Sequence, residues 1–270
     1  MKFREKLAQI VHKNNSLLCV GLDTDQNKIP NFLFTDKKNP FFDFNKNIIE
    51  CTKDYVCAYK LNMAFYEALG EKSFSLLEKT INYIPKDILI ILDGKRNDIS
   101  NTAHKYAQSL FEELKADAVT INPYLGKDGV TPFLQYKDKC SFILCRTSNP
   151  SAGDFQNIIS EGIPLYQSVA KKIKEWNIYN NCGVVVGATY PNELKIIREI
   201  LGDSIPFLIP GIGKQGGAVE KTVRYGTNKK GEMAIINSSR GIIYKSSSYD
   251  FAEKARGAAS SLCNEINKYR

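Results

Sequence analysis

The sequence predicts an α/β fold in which eight parallel strands, alternating with helices, close into a barrel. Three observations carry that expectation. First, eight short apolar runs recur along the 270 residues, at 17–23, 57–62, 88–95, 118–124, 141–147, 182–189, 207–213 and 233–239. Several are continuous Val/Ile/Leu stretches rather than alternating ones, the pattern of strands buried on both faces of a parallel sheet. Second, amphipathic stretches of helical length lie between them. Third, polar residues collect at the carboxyl ends of the runs: Asp23; Lys60 and Asn62; Asp93, Lys95 and Asp98; Asn122; Thr147 and Ser148; Gln215; and Arg240. The first two observations also suit a doubly wound open sheet. The third favours a (β/α)8 TIM barrel, where that end of the strands carries the active site.

Taken in order, the first run leads into a polar stretch at 25–47, rich in Pro, Asn and Phe, which reads as a long loop or short insertion. Stretches 101–114, 164–176 and 191–201 read as helical crossovers, with Pro164 and Pro191 at first helical positions. No linker, repeat or low-complexity segment divides the chain, so residues 1–270 are expected to form one domain.

Composition narrows the partners. There are 37 basic and 29 acidic residues, a formal charge of +8, but no long Arg/Lys run and no basic–aromatic repeat. Nucleic acid is therefore not expected, whereas a phosphorylated small molecule suits a modest positive field. The two histidines, His12 and His104, stand far apart, which argues against a zinc site or a Ser-His-Asp triad. Seven cysteines, with no Cys-x-x-Cys pair, read as reduced cytosolic thiols. Residues 1–9 are charged and lack the apolar core of a signal peptide. No apolar run approaches the roughly 20 residues that span a bilayer. The expectation is a soluble, cytoplasmic protein without a membrane partner.

The chemistry concentrates in the third run, which ends Leu92-Asp93-Gly94-Lys95-Arg96-Asn97-Asp98. Side chains alternate along a strand, so Asp93 and Lys95 share a face, the lumen face in a barrel. Opposite charges about 4 Å apart attract by about 4 kcal/mol at an effective dielectric near 20. Desolvation offsets that gain, so stability alone does not account for the pair. A lysine held protonated by flanking carboxylates is suited to donate a proton.

A second constellation lies near the carboxyl end. Gly211-x-Gly213-x-x-Gly216 superficially matches a dinucleotide fingerprint, yet the next run ends Asn237-Ser238-Ser239-Arg240, without the acid that fingerprint needs. Barrel phosphate sites use the loops after the seventh and eighth strands, and 211–217 and 238–241 are those loops. Glycines let backbone N–H groups approach an anion, and Arg240 adds a charge-assisted fork. Blander readings hold elsewhere. Lys60 could be a strand-exit lysine and Asp23 a turn cap, His104 reads as helix surface, and Trp176 and residues 39–44 read as packing.

The run Leu92-Asp93-Gly94-Lys95-Arg96-Asn97-Asp98-Ile99, with Thr102 following, resembles the signature of orotidine 5′-monophosphate decarboxylases. So do Gly21-Leu22-Asp23, Tyr59-Lys60-Leu61-Asn62, Pro210-Gly211-Ile212-Gly213-Lys214-Gln215-Gly216-Gly217 and Ser239-Arg240-Gly241-Ile242. Thr147-Ser148-Asn149-Pro150 and Ala188-Thr189-Tyr190-Pro191 are similar to the longer-chain branch of that family. The resemblance implies a homodimeric barrel that needs no metal or organic cofactor. Its reaction converts orotidine 5′-monophosphate to UMP and CO2, the last step of de novo pyrimidine nucleotide synthesis. It implies a charge row of Lys60, Asp93 and Lys95, completed by Asp98 from the neighbouring subunit. Lys95 would protonate C6 and Asp93 would sit by the leaving carboxylate. Asp23, Asn62 and Thr102 would hold the ribose, Thr102 from across the dimer. Ser148, with Thr147 beside it, would address the pyrimidine. Gln215 and Arg240 would grip the phosphate, Ser239 is small as a phosphate loop requires, and Ile99, Pro210 and Ser239 complete the substrate-binding positions. The alternatives are an Mg²⁺-dependent keto-sugar-phosphate decarboxylase of the same barrel type and a non-enzymatic nucleotide-binding barrel.

Overall fold

The structure, a computed structural model, describes residues 1–36, 38–212 and 219–270. Eight parallel strands close into a barrel. In chain order they are β1 (Leu18–Gly21), β2 (Ala58–Asn62), β3 (Leu89–Arg96), β4 (Ala118–Ile121), β5 (Cys140–Arg146), β6 (Cys182–Val186), β7 (Phe207–Pro210) and β8 (Ala234–Ser238). Each pairs with its sequence neighbours, and β1 closes on β8 through Leu18–Ile236, Cys19–Asn237 and Val20–Ser238. Most strand residues are completely buried, as the unbroken apolar runs require. Burying a Val, Leu, Ile or Phe side chain contributes about 1.5–3 kcal/mol, so the strands and the helices covering them form one continuous apolar core.

The helix Phe3–Asn14 lies across the amino-terminal end of the strands. Phe3 meets Phe142 of β5 edge-on, with ring centroids 5.8 Å apart. Lys6 Nζ lies 2.7 Å from Asp117, whose carboxylate also accepts the Ile90 N–H at 2.9 Å. One end of the barrel is thus sealed, which leaves the carboxyl ends of the strands as the open mouth.

Several boundaries differ from the sequence expectation. The stretch 25–47 is not a loop: it holds a 3₁₀ turn (Gln26–Lys28), a short helix (Phe32–Asp36) and the start of the helix Pro40–Thr52. Asn39 caps that last helix by accepting the Phe42 N–H, with Pro40 in its first turn. The Asn and Pro that suggest a turn therefore open a helix instead. Its Phe41, Phe44, Ile48 and Ile49 are buried, and Phe44 stacks on Phe251 at 5.3 Å. The packing reading of 39–44 was sound, whereas the loop reading was not. The crossover expected at 101–114 is helical over Ser100–Gln108 and continues as a π-helical turn, Ser109–Glu113. Pro191 opens its helix, but Pro164 pairs in a short hairpin, Ile159–Ser160 with Ile163–Pro164, and the next helix begins at Leu165. The fourth run ends as strand at Ile121 because Pro123 offers no N–H to a ladder, and Asn122 instead accepts the Tyr124 N–H.

All seven cysteines are free thiols. Burial pushes Cys51 up to about 11 and Cys57 up to about 12. Among the described residues no helix is long and apolar enough to cross a membrane.

Candidate active site

Parallel pairing places Gly21 beside Lys60 and Asn62 beside Asp93, so the ends of β1, β2 and β3 deliver their polar residues to one place. Lys60 Nζ lies 3.2 Å from Asp23 Oδ1 and 3.0 Å from Asp93 Oδ2. Lys95 Nζ lies 2.7 Å from Asp93 Oδ1. The result is an alternating row, Asp23–Lys60–Asp93–Lys95. Its middle is sealed and its Lys95 end open: the Lys60 side chain is 5% exposed and that of Lys95 49%.

The electrostatics follow from this geometry. Burial opposes the charge on Lys60, but Asp23 and Asp93 outweigh it and hold the ammonium above its ordinary range. Burial likewise opposes ionisation of Asp93, and Lys60 and Lys95 outweigh it, holding the carboxyl well below the usual carboxylate range. Both groups are therefore charged at neutral pH, and each charge is compensated in place.

Thr120 of β4, which the sequence reading did not single out, fixes the row's geometry. It is buried, donates its hydroxyl proton to Asp93 Oδ1 at 2.8 Å, and accepts the Lys95 N–H at 3.0 Å. Lys95 takes a left-handed backbone conformation, φ 47°, which a non-glycine residue adopts at a cost. The Thr120 bond holds it there. A buried network stands behind Asp23. Tyr66 donates to the Leu22 carbonyl at 3.3 Å, Thr24 donates to Asn45 at 2.5 Å, and Tyr244 donates to the Asp23 carbonyl at 3.1 Å.

Next to the row lies a cavity of about 170 Å³, lined by Asp23, Ser148, Pro210, Asn237, Ser239 and Arg240 among others. Glycines make the close approaches possible. A Cβ on Gly21 would fall 1.9 Å from Ser239 Oγ, and one on Gly187 would fall 2.7 Å from the Ser148 Cβ. The segment leading to Ser148 is tied down by Gln156, another residue the sequence reading missed. Its Oε1 accepts the Thr147 N–H at 2.9 Å and an Arg146 N–H at 3.1 Å, while its Nε2 donates to Thr147 Oγ1 at 2.7 Å.

Of the sequence-predicted positions, the structure thus brings Asp23, Lys60, Asp93 and Lys95 into one row and Ser148, Pro210, Ser239 and Arg240 around one cavity. Asn62 caps the helix Met63–Glu67 through the Ala64 N–H. Asp98 does not join the row within this chain. It accepts the neighbouring Ile99 N–H at 2.8 Å, and Ile99 and Thr102 are exposed beyond it. Gln215, with the rest of the glycine-rich loop from Gly213 to Gly217, lies outside the described residues. His104 is exposed on its helix, as expected. Among the described residues, no three His, Cys, Asp or Glu side chains are grouped to hold a metal ion.

The family described as "Orotidine 5'-phosphate decarboxylase / HUMPS family" matches residues 16–255. The chain belongs to that family. Within the family, proteins named orotidine 5'-phosphate decarboxylase from Dehalococcoides mccartyi and Cellvibrio japonicus are 48% and 49% identical to it. The first match covers 100% of this chain and 99% of the relative, and the second 100% of both. Among solved structures, the OMP decarboxylase of Leishmania donovani superposes with a TM-score of 0.87 at 37% identity, covering 100% of this chain and 98% of that one. The UMP synthase of the same organism superposes with a TM-score of 0.89 at 38% identity, and the match spans 56% of that longer chain. These likenesses agree with the closed parallel barrel described above.

Proposed function

We propose that this protein decarboxylates orotidine 5′-monophosphate to UMP and CO2, the last step of de novo pyrimidine nucleotide synthesis. The observation that carries the proposal is the Asp23–Lys60–Asp93–Lys95 row, set at the barrel mouth beside a cavity that Ser239 and Arg240 line. The full-length relatives that bear the name of this activity support it.

The reaction is demanding because loss of CO2 leaves a carbanion at C6 with no adjacent carbonyl to accept the charge. Stabilisation must come from groups already in place, since reorienting them during the reaction would itself cost energy. The Lys95 ammonium, fixed by Asp93 and by its own backbone, supplies the positive charge and then the proton at C6. Asp93 stands by the departing carboxylate, and Lys60 keeps Asp93 ionised. Enzymes remove about 8–23 kcal/mol from such barriers. Part of that comes from binding energy realised at the remote phosphate, which orients the ring over Lys95. In this reading Ser239, Arg240 and Gln215 take the phosphate, Asp23 and Asn62 the ribose, and Ser148, with Thr147 beside it, the pyrimidine, while Pro210 lines the site.

Within its own chain Asp98 bonds to the Ile99 N–H rather than to the row, and Ile99 and Thr102 are exposed. They serve the site of a second copy, so the active form is a homodimer with shared sites, each copy a single barrel domain over residues 1–270. The protein acts in the cytoplasm on a small molecule, without a metal or organic cofactor. One assay tests the reading: the absorbance change of orotidine 5′-monophosphate, followed in EDTA. Turnover to UMP that persists in the chelator is expected. No turnover with this substrate overturns the proposal. Turnover that EDTA abolishes favours a metal-dependent decarboxylase of the same barrel type.

A further inference from the structure

Arg146 ends β5 and is buried, at 2% exposure. Among the described residues no carboxylate pairs with it. Its guanidinium lies over the Tyr190 ring, 3.8 Å from the centroid, and donates to Gln156 Oε1 at 3.1 Å. Burying an arginine without an acid is costly, so packing alone does not account for it. An arginine offers only donors, which settles the orientation of the Gln156 amide. The atom facing Arg146 is the carbonyl oxygen, and it also accepts the Thr147 N–H at 2.9 Å. The amide nitrogen is left to donate to Thr147 Oγ1 at 2.7 Å, and the Thr147 hydroxyl proton goes on to Asn149 Oδ1 at 2.7 Å. Every donor in this chain, from Arg146 to Asn149, points one way.

The chain brackets Ser148. On one side a single amide holds Thr147 by its backbone and its side chain at once. On the other stands Gly187, whose N–H donates to the Arg146 carbonyl at 2.8 Å, and where a Cβ would fall 3.0 Å from the Ser148 N and Cα. Ser148 lines the cavity beside the charge row, whereas Gln156 borders a neighbouring apolar pocket with Phe155 and Leu165. We infer that Gln156 is a positioning residue for recognition of the base. Fixed by Arg146, it sets where Ser148 meets the pyrimidine without touching the substrate itself. Displacing such a group by about 1 Å can cost up to about a hundredfold, which is why a buried arginine is worth spending on one amide.

The inference rests on the decarboxylase reading, and titration calorimetry with UMP and with ribose 5-phosphate, which lacks the base, separates the two. Wild type binding UMP no more tightly than ribose 5-phosphate would remove the pyrimidine contact itself, and with it the reading of Ser148. Given that preference, Gln156→Ala should weaken UMP about tenfold, equivalent to about 1.4 kcal/mol, and leave ribose 5-phosphate within twofold. Gln156→Glu keeps an acceptor toward both Arg146 and the Thr147 N–H, and should recover most of the lost UMP affinity. Equal weakening of both ligands in the alanine variant would make Gln156 a packing residue, and unchanged UMP affinity would leave it without a role. A glutamate variant as weak as the alanine one would remove the acceptor bonds from the account. Each of these three results overturns the inference. Thermal melting checks every variant, and Gln156→Met, closer in volume, carries the same comparison should the alanine form not fold.

Discussion

Replacing Lys95 by alanine separates chemistry from stability. The Lys95 side chain is half exposed and makes one ion pair, 2.7 Å from Asp93. Pairs with an open side contribute about 0–1 kcal/mol. Asp93 keeps Lys60 at 3.0 Å and the Thr120 hydroxyl at 2.8 Å, so its charge stays compensated. In a chain of this size, about 1 kcal/mol moves the melting temperature by about 2–4 °C. The variant should melt within that range of the wild type. Its activity should fall far more. Removing a preorganised charge aimed at the developing carbanion costs about 10²–10³ in rate, and losing a positioned proton donor about 10²–10⁴. Because one group does both jobs these losses overlap, and a fall of at least roughly a thousandfold is expected. The assay is the absorbance decay of orotidine 5′-monophosphate, paired with a circular dichroism melt. Activity within tenfold of wild type would refute the role given to Lys95. A collapse of the melting temperature would refute the division of labour between the two lysines.

Four further predictions follow from the same geometry. Lys60→Met leaves Asp23 without its ion partner at a buried position, while Asp93 keeps Lys95 and Thr120; breaking such a pair costs about 3–5 kcal/mol, so its melt should fall by roughly 6–20 °C, and an unchanged melt would contradict the account of the row. Thr120→Val keeps the shape but removes the donor to Asp93, and should lower kcat about tenfold with KM little changed, whereas Thr120→Ser restores it; equal loss in both variants would place the effect in packing. Asp93 titrates below its ordinary 3.8, so the stability it contributes is present above about pH 4 and lost as the pH falls toward the lowered folded value. The gap in melting temperature between wild type and Asp93→Asn should therefore narrow below about pH 4, and a gap constant into strong acid would count against the lowered value. Finally, mixing inactive Asp98→Ala and Lys95→Ala chains should restore some turnover, because heterodimers regain one intact site; no recovery with heterodimers verified would argue against shared sites.

How much of this was legible beforehand depends on the kind of signal. The strands were readable because burial on both faces forces unbroken Val/Ile/Leu runs, and each of the eight runs overlaps a barrel strand. The helix Pro40–Thr52 was not, because Asn and Pro carry opposite meanings at a turn and at a helix start, and only tertiary burial of Phe41 and Phe44 decides between them. Asp93 and Lys95 were legible because two charges at period two at the end of an apolar run have few structural uses. Thr120 passed unnoticed because threonine is ordinary in strands, although it shares a face with Asn122, two residues on. Gln156 acts from the end of a short helix, Gly153–Gln156, across ten residues of sequence, a pairing that no local pattern encodes.

The pairing of β1 with β8 has a consequence for how the chain is made. Leu18 and its neighbours are synthesised more than 200 residues ahead of their partners at Ile236 to Ser238. Until then β1 carries an unpaired edge, and the growing sheet presents a second edge at whichever strand was last completed. A nascent or truncated chain of this design is therefore an open sheet with sticky margins, and late ring closure is the step that makes it safe. Cellular quality control has its longest opportunity on this molecule in the interval before the eighth strand appears.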